Sequence, residues 1–565
     1  MKASDYIVKF IEDRKVTDIF GYPGGMVTHL MDSLSRSSIR SHVTYHEQGA
    51  AFAACGYAQT TGNVGVAYAT SGPGATNLIT GICNAYFDSI PTLFITGQVN
   101  TFEYKGDLGV RQRGFQETDI VSIVTPITKY AVRITDANKL RWYLEYAFYI
   151  ADEGRKGPVL LDIPMDIFRA EIDPDKLEGF DIPTYTRTYS CDTLIEALNK
   201  SVRPVILAGS GIKTAGVTDK FNEAVKRLNI PVVSTMLSID VVKDSYGFIG
   251  AYGTRTANFI VAKSDLVICL GARLDVRQTG ANRKNFAPDA TIVRVDIDSG
   301  ELGFKVHDDE IQIHADVKDV IDTLAEVPSK NLTGWNNVCR KIQEELKDID
   351  DRLPNAYVQK ISEYIPENSI ITTDVGQNQV WVAQSFKVKN GQRIFFSGGH
   401  GAMGYSLPAA IGCALADGKA VYSFSGDGGI QMNIQELQVI ARENLPVKVI
   451  LFNNSALGMI RHFQEMYFES NYVQTVADGG YSVPDFGAVA NAYKIPYTCV
   501  NKIEDIDDKL FDVQGPQFIE VKITEPTYVF PKLEFGKPNQ DQEPLLPRDK
   551  YAYIMGLSET DVSNL

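Results

Sequence analysis

No stretch of the chain reaches about 18 consecutive apolar residues, so none is a candidate for crossing a bilayer as a helix. The opening segment, MKASDYIVKFIEDRK, sets Asp5 and Glu12 among its apolar residues and lacks the unbroken apolar core of a signal peptide. A cytoplasmic location is therefore expected. Cysteine is sparse: Cys55, Cys83, Cys191, Cys269, Cys339, Cys413 and Cys499 are odd in number and scattered, with no CxxC pair and no Cys/His group at zinc spacing. They read as reduced core thiols. Positive charge is also short, 55 Lys and Arg against 70 Asp and Glu, for a formal charge of −15. No broad basic face is left for a phosphate backbone or an anionic bilayer, which argues against nucleic acid and membrane partners.

What remains is a globular composition. The 565 residues are 44% hydrophobic and 22% charged, enough for three or four domains with large cores. In residues 1–170 the β-rich runs TDIFGYP, VGVAYATS, PTLFITGQ and GPVLLDIP alternate with segments of helical period, the pattern of a parallel sheet covered on both faces. A linker over 171–190 is marked by Pro174 and Pro183. A second α/β block over 191–345 carries RPVILAGSGI, PVVSTM, SDLVICLGARL and TIVRVDID. A helix over 336–353 is expected to end at Pro354. The third block, 346–530, carries SIITTDVG, AVYSFSGDGG, PVKVILFNNS and QFIEVKIT, and an irregular arm rich in Pro and charge occupies 531–565. The expected fold is α/β, three doubly wound parallel-sheet domains.

The chemistry concentrates in the third block. The strand AVYSFS leads into Gly426-Asp427-Gly428-Gly429, then into a helical segment, IQMNIQELQVIAREN, and a second strand ending at Asn453-Asn454. Strand ends that flank one crossover lie side by side, so Asp427 and Asn454 can converge at the carboxyl edge, where ligands bind. A carboxylate, a carboxamide oxygen and exposed backbone N–H groups at a helix start suit Mg²⁺ bridged to a diphosphate. Three glycines around an aspartate also make an ordinary tight turn. The pairing of GDG with NN, 24 residues apart, resembles the thiamine-diphosphate signature of decarboxylases and carboligases.

In the first block, VTYHEQGAAFAACGYAQTTG places Glu47 just ahead of a small-residue apolar helix. Such a charge is either a partner of the helix dipole or a functional acid. Thiamine chemistry needs a carboxylic acid on the aminopyrimidine ring to promote loss of a proton from the thiazolium, and Glu47 is the candidate.

These features, with FGYPGG (20–25), TSGPGATN (70–77), NAYFDSIPTLFITGQV (84–99), GFQETDIV and SGGHGAMGYSLPAAIG (397–412), resemble the catalytic subunits of acetohydroxyacid (acetolactate) synthases, collinearly from about residue 3 to 525. The resemblance implies a pyrimidine-binding domain, a central FAD-binding domain and a diphosphate-binding domain. It further implies a homodimer or homotetramer in which Glu47 of one chain faces the metal site of another, and a possible regulatory subunit. By the same resemblance Asp427, Asn454 and the Ala456 carbonyl are Mg²⁺ ligands. Val375, Gly376, Gln377, Asn378, Gly401, Gly426, Gly428 and Gly429 contact the thiamine cofactor, with Met403 as the wedge that bends it and Met459 near its pyrimidine. Phe115, Gln116 and Lys129 line the reaction pocket. FAD, with no net redox role, would meet Arg155, Gly209, Gly211, Thr235, Gly271, Arg273, Asp275, Asp296 and Asp316, although AGSGI is not a full GxGxxG.

The chain departs from the family around the acceptor. Arg277, expected to hold the second 2-oxo acid, follows Val276 where the family has aspartate, and Phe463 replaces a tryptophan. Met165 replaces a lysine, and RQRG precedes Phe115. The expected reaction is pyruvate decarboxylation and carboligation to a ketone. The alternative acceptor is a nucleotide-linked keto-sugar.

Overall fold

The computed structural model describes residues 1–184, 188–347 and 352–562. Three wholly parallel sheets follow one another along the chain. The first contains β1 (Asp18–Gly21), β2 (Arg40–Val43), β3 (Gly65–Ala69), β4 (Thr92–Gln98), β5 (Tyr130–Arg133) and β6 (Pro158–Pro164), in the order β2-β1-β3-β4-β6-β5. The middle sheet contains β7 (Pro204–Ala208), β8 (Val232–Ser234), β9 (Leu266–Leu270), β10 (Thr291–Asp296) and β11 (Ile311–His314), in the order β11-β10-β9-β7-β8. The third contains β12 (Ile370–Thr373), β13 (Arg393–Phe396), β14 (Val421–Gly426), β15 (Val447–Asn453), β16 (Tyr497–Val500) and β17 (Gln517–Lys522), in the order β13-β12-β14-β15-β17-β16. The first and third sheets thus repeat one strand order. The α/β expectation of three parallel sheets holds. The central strands β3, β4, β6, β7 and β9 are buried along their whole length, which is why they read as unbroken apolar runs.

Sequence reading passed over β2, β5, β11, β13 and β16, each four residues long and each at a sheet edge. Half-exposed edges tolerate RSHV or IQIH, which lack a continuous apolar run. The helix expected over 336–353 runs instead from Thr333 to Leu346; residues 348–351 lie outside the described residues, and Pro354 sits in the first turn of a new helix, Leu353–Tyr364. Proline is well placed there because its missing N–H has no partner to lose. The helix expected over IQMNIQELQVIAREN is broken into Asp427–Gln431, a 3₁₀ turn Ile434–Glu436 and Leu437–Arg442. The tail holds a helix, Arg548–Gly556, and is not irregular throughout. Of the expected linker, 185–187 lie outside the described residues. No described helix is long and apolar enough to cross a membrane.

The described residues form two compact units, one within 1–184, 369–379 and 395–525, the other within 185–368, 380–394 and 526–565. The first unit is held together by one close helix pair, Glu47–Thr61 against Ser406–Asp417. A methyl added at Gly56 would lie 2.1 Å from the Ala409 carbonyl oxygen, and one at Gly412 would lie 1.9 Å from that of Ala53. The backbones touch because neither glycine has a side chain. Gly56→Ala is expected to cost about 3 kcal/mol or more, since the obstructing atoms are backbone and cannot turn aside. A melting midpoint within a degree of wild type would contradict that.

A buried ion cluster reinforces the same unit. His42 on β2 donates from Nε2 to Asp18 Oδ1 at 2.8 Å and from Nδ1 to Glu443 Oε2 at 2.7 Å, and Arg40 closes on Asp18. Burial alone would depress the imidazole pKa, but the two carboxylates outweigh it and raise it; burial alone would raise Asp18 and Glu443, but His42 and the neighbouring donors outweigh it and lower both. The histidine's contribution is complete below its unfolded pKa of about 6.5 and is lost as pH rises through the raised folded value. The carboxylates contribute above their unfolded range and lose it on acidification. His42→Gln should cost about 3 kcal/mol near pH 6, and the gap to wild type should narrow by pH 9 in thermal melts across that range.

Candidate active site

Three neighbouring strands of the third sheet, β12, β14 and β15, are followed directly by Asp374, Asp427 and Asn454. Asp427 is buried and opens the short helix Asp427–Gln431. Its Oδ1 accepts from the Tyr481 hydroxyl at 3.1 Å and its Oδ2 from the Ala456 N–H at 3.3 Å. The same N–H lies 3.3 Å from Asn454 Oδ1, so the two side-chain oxygens converge on one spot. Asn454 Nδ2 donates to Gln377 Oε1 at 3.1 Å, which fixes the carboxamide with its oxygen turned to that spot. Burial pushes the Asp427 carboxyl up to about 6. That is the expected effect of withdrawing a carboxylate from water.

The glycines floor a cradle. Gly376 has φ +138, and a methyl at Gly426 would stand 3.2 Å from Asn378 Nδ2. A methyl at Gly428 would meet Leu457 Cδ2 at 2.6 Å, the Tyr481 hydroxyl at 3.3 Å and Met403 Cε at 3.4 Å. The Oδ1 atom of Asn378 is buried without a hydrogen-bond partner. The structure therefore brings Gly376, Gln377, Asn378, Met403, Gly426, Asp427, Gly428, Asn454 and Ala456 together. Val375 adjoins them, bonded to Asp374, and Gly401 (φ +70) and Gly429 lie on the same turns. Met459 is half-buried on helix Gly458–Tyr467. Phe463, on that helix, is exposed and packs on Tyr467 with ring centroids 4.7 Å apart.

Glu47 is the first residue of its helix and is 7% exposed. Asn77 Nδ2 donates to its Oε2 at 2.9 Å, and Oε1 faces Gly74. The backbone ahead of it is held by Glu436, whose carboxylate accepts the Tyr45 N–H at 3.0 and 3.2 Å and that of His46. A methyl at Gly49 would fall 2.5 Å from Glu436 Oε1, so this approach requires glycine. Burial pushes the Glu436 carboxyl up to about 7. No hydrogen bond joins Glu47 to Asp427 among the described residues. Phe115 is 79% exposed, and Gln116, at φ +61, abuts Gly72. Their loop is tied by buried Glu117, which accepts the N–H groups of Lys105, Arg113 and Gly114. Lys129 donates to the Glu153 carbonyl, with its stem against Gly157.

In the second unit, Gly209, Thr235, Gly271, Asp296 and Asp316 all fall at or just past the carboxyl ends of their strands. Gly209 and Gly271 flank the point where strand order reverses, between β7 and β9, and a methyl on Gly209 would lie 2.0 Å from the Gly271 oxygen. Gly211 packs on Gly271. Arg273 pairs with Asp275 at 2.7 Å, and Asp316 accepts the Lys318 N–H as an N-cap. Asp296 accepts that of Asp298. Exposed Arg277 lies 5.7 Å from the Tyr252 ring. Arg155 belongs to the first unit, where its Nε donates to Ser89.

Parallel sheets of one strand order, a carboxylate and a carboxamide meeting over glycines, and a buried acid opening a helix define a thiamine pyrophosphate enzyme. Family models agree: the N-terminal TPP binding domain matches residues 1–123, the central domain 191–324 and the C-terminal TPP binding domain 374–521. The acetolactate synthase large subunit of Lactococcus lactis is 36% identical over 94% of both chains. Isozyme 2 of Escherichia coli is 33% identical over 96% of this chain and 99% of its own, and a probable large subunit of Methanocaldococcus jannaschii is 37% identical over 90% and 89%. The chain belongs to the family of acetolactate synthase large subunits.

Sequence reading missed Tyr481 and Glu436 and did not single out Asn77 within TSGPGATN. Tyr481 stands in an irregular loop, and nothing local announces its reach to Asp427. Glu436 looks like a surface residue of an amphipathic helix until that helix is seen to break. Glu436→Gln removes the charge and replaces one of the two accepting oxygens that hold Tyr45 and His46 with an NH₂ donor, and should cost about 2 kcal/mol. Denaturant unfolding would show it, and an unchanged midpoint would mean that Glu436 does not hold the backbone ahead of Glu47.

Proposed function

We propose that this chain is a catalytic subunit that decarboxylates pyruvate with thiamine diphosphate and joins the two-carbon unit to a second 2-oxo acid. Two pyruvates then give 2-acetolactate. The observation that carries the reading is the convergence of Asp427 Oδ2 and Asn454 Oδ1 around the Ala456 N–H, over a floor of glycines. Two hard oxygens and an adjacent backbone carbonyl fit Mg²⁺, and Asp427, Asn454 and the Ala456 carbonyl would hold it against a diphosphate. The buried Asn378 Oδ1, without a hydrogen-bond partner and on a side chain beside Gly376 and Gly426, fits a polar ligand in that cradle. When bound, thiamine diphosphate supplies a nucleophilic carbon and a sink for the electron pair released with CO₂.

The chain's own residues do the rest. Glu47, held through Oε2 by Asn77, would keep a proton at Oε1 and exchange it with the aminopyrimidine. A site completed by a second copy, as homodimer or homotetramer, belongs to the same reading. Met403, half-buried beside Gly428, would bend the cofactor, with Met459 near the pyrimidine. Phe115, Gln116 and Lys129 would line the pocket, and Arg277 and Phe463 would meet the acceptor. FAD fits the carboxyl edge of the middle sheet, where Gly209 and Gly271 leave backbone bare at the strand-order reversal. A cytoplasmic location and a regulatory subunit belong to the same proposal. The keto-sugar acceptor is not favoured, because the full-length relatives are acetolactate synthases.

Purified chain given thiamine diphosphate, Mg²⁺, FAD and pyruvate alone should form acetolactate, and Glu47→Gln should slow decarboxylation at least about 100-fold while still binding cofactor. Undiminished turnover in Glu47→Gln would remove that acid from the mechanism. Absence of acetolactate with turnover of another acceptor would replace the product assignment.

A further inference from the structure

Asp374 is fully buried at the end of β12, and no lysine, arginine or histidine pairs with it among the described residues. Its carboxylate accepts only backbone N–H groups. Val375 donates to Oδ1 at 2.8 Å, Gly404 to Oδ1 at 2.9 Å and Oδ2 at 3.1 Å, and Ser406 to Oδ2 at 3.4 Å. A methyl on Gly429 would fall 2.7 Å from Oδ1, so the helix that starts at Asp427 also closes on this carboxylate. An unpaired buried carboxylate is costly, and a serine or asparagine would cap one helix more cheaply. A serine has one oxygen to offer, and an asparagine would set an NH₂ donor where Oδ2 now accepts from Gly404 and Ser406.

Each of those segments belongs to the candidate cofactor cradle: 375–378, the turn 401–406 that carries Met403, and the start of the Asp427 helix. The turn is fixed from its other side as well, since Asn433 Nδ2 donates to the Gly404 carbonyl at 2.8 Å and Gly404 holds φ +85. Clamped between Asp374 and Asn433, Gly404 determines where Met403 stands against Gly428.

We infer that Asp374 is a positioning residue of the cofactor site, whose carboxylate binds the Val375 strand end and the Met403 turn into one rigid cradle and so sets Met403 against the glycine floor. The inference rests on the proposed role of Met403 as the wedge beneath bound thiamine diphosphate. Burial pushes the Asp374 carboxyl up to about 7, so the backbone donors are its whole support.

The test is a double-variant cycle on the full chain, with Mg²⁺ present and thiamine diphosphate affinity read from quenching of intrinsic fluorescence, alongside kcat at saturating cofactor. Asp374→Asn should weaken cofactor binding about tenfold or more, the size of a lost charged hydrogen bond. Asp374→Asn combined with Met403→Ala should be little worse than the poorer single variant, because one acts through the other. Asp374→Glu keeps the charge but cannot meet Val375, Gly404 and Ser406 together; it should weaken binding likewise and serves if the asparagine variant does not fold. Wild-type affinity in either variant, or losses that multiply in the double variant, would overturn the inference. A merely structural aspartate would lower the melting midpoint and leave the affinity of the folded protein unmoved. Failure of the wild-type chain itself to bind thiamine diphosphate would instead sink the functional reading, and this inference with it.

Discussion

The close contact between helices Glu47–Thr61 and Ser406–Asp417 is the constraint from which the candidate site follows. At Gly56 and Gly412 backbone meets backbone, leaving neither helix freedom to slide or roll. Both candidate features of the cofactor site sit at the N-terminal ends of this pair. Glu47 is the first residue of one helix, and Met403 lies three residues ahead of the other. A pair locked at this separation transmits its rigidity to both ends, so the placement of Glu47 and Met403 is a consequence of core packing.

The two ends are secured in the same way. Glu436 takes the N–H groups ahead of the first helix, and Asp374 takes those ahead of the second; neither is on the helix it serves. The N-terminus of a helix carries partial positive charge, and a carboxylate placed there gains both hydrogen bonds and dipole attraction. Burial drives both carboxyls toward about 7, which marks how strongly each site is withdrawn from water. The first and third sheets share one strand order, and each contributes to this arrangement a helix whose start is held by a distant acid.

Much of this was legible in the sequence because burial leaves a mark. The fully covered strands β3, β4, β6, β7 and β9 appear as apolar runs, and GDG with NN marks two strand ends at a fixed crossover length. What escaped was decided by tertiary partners. All five overlooked strands are four-residue edges whose pairing comes from one neighbour only. Pro354 is a stop signal by type, yet in place it opens a helix. Tyr481, Glu436 and Asp374 act across tens to hundreds of residues, Tyr481 on the Asp427 carboxylate and the two acids on backbone groups that carry no side-chain signature. Spacing along a chain reveals partners on one element or on adjacent strand ends; it does not reveal an acid that accepts from somebody else's main chain.

The same distinction explains where the chain departs from its family. The cofactor residues are buried and mutually braced: changing Gly428, Asp427 or Asn454 disturbs Leu457, Tyr481, Ala456 or Gln377 at once. The acceptor candidates are more exposed. Phe115 and Phe463 stand at the surface, and Arg277, 5.7 Å from the Tyr252 ring, follows an exposed Val276. Substitution at such positions costs the fold little, since few neighbours are forced to move. Positions 276 and 463, where the sequence reads as departing from its family, are therefore ones at which the scaffold can absorb change, whereas change within the Asp427–Asn454 cradle forces several buried neighbours to move.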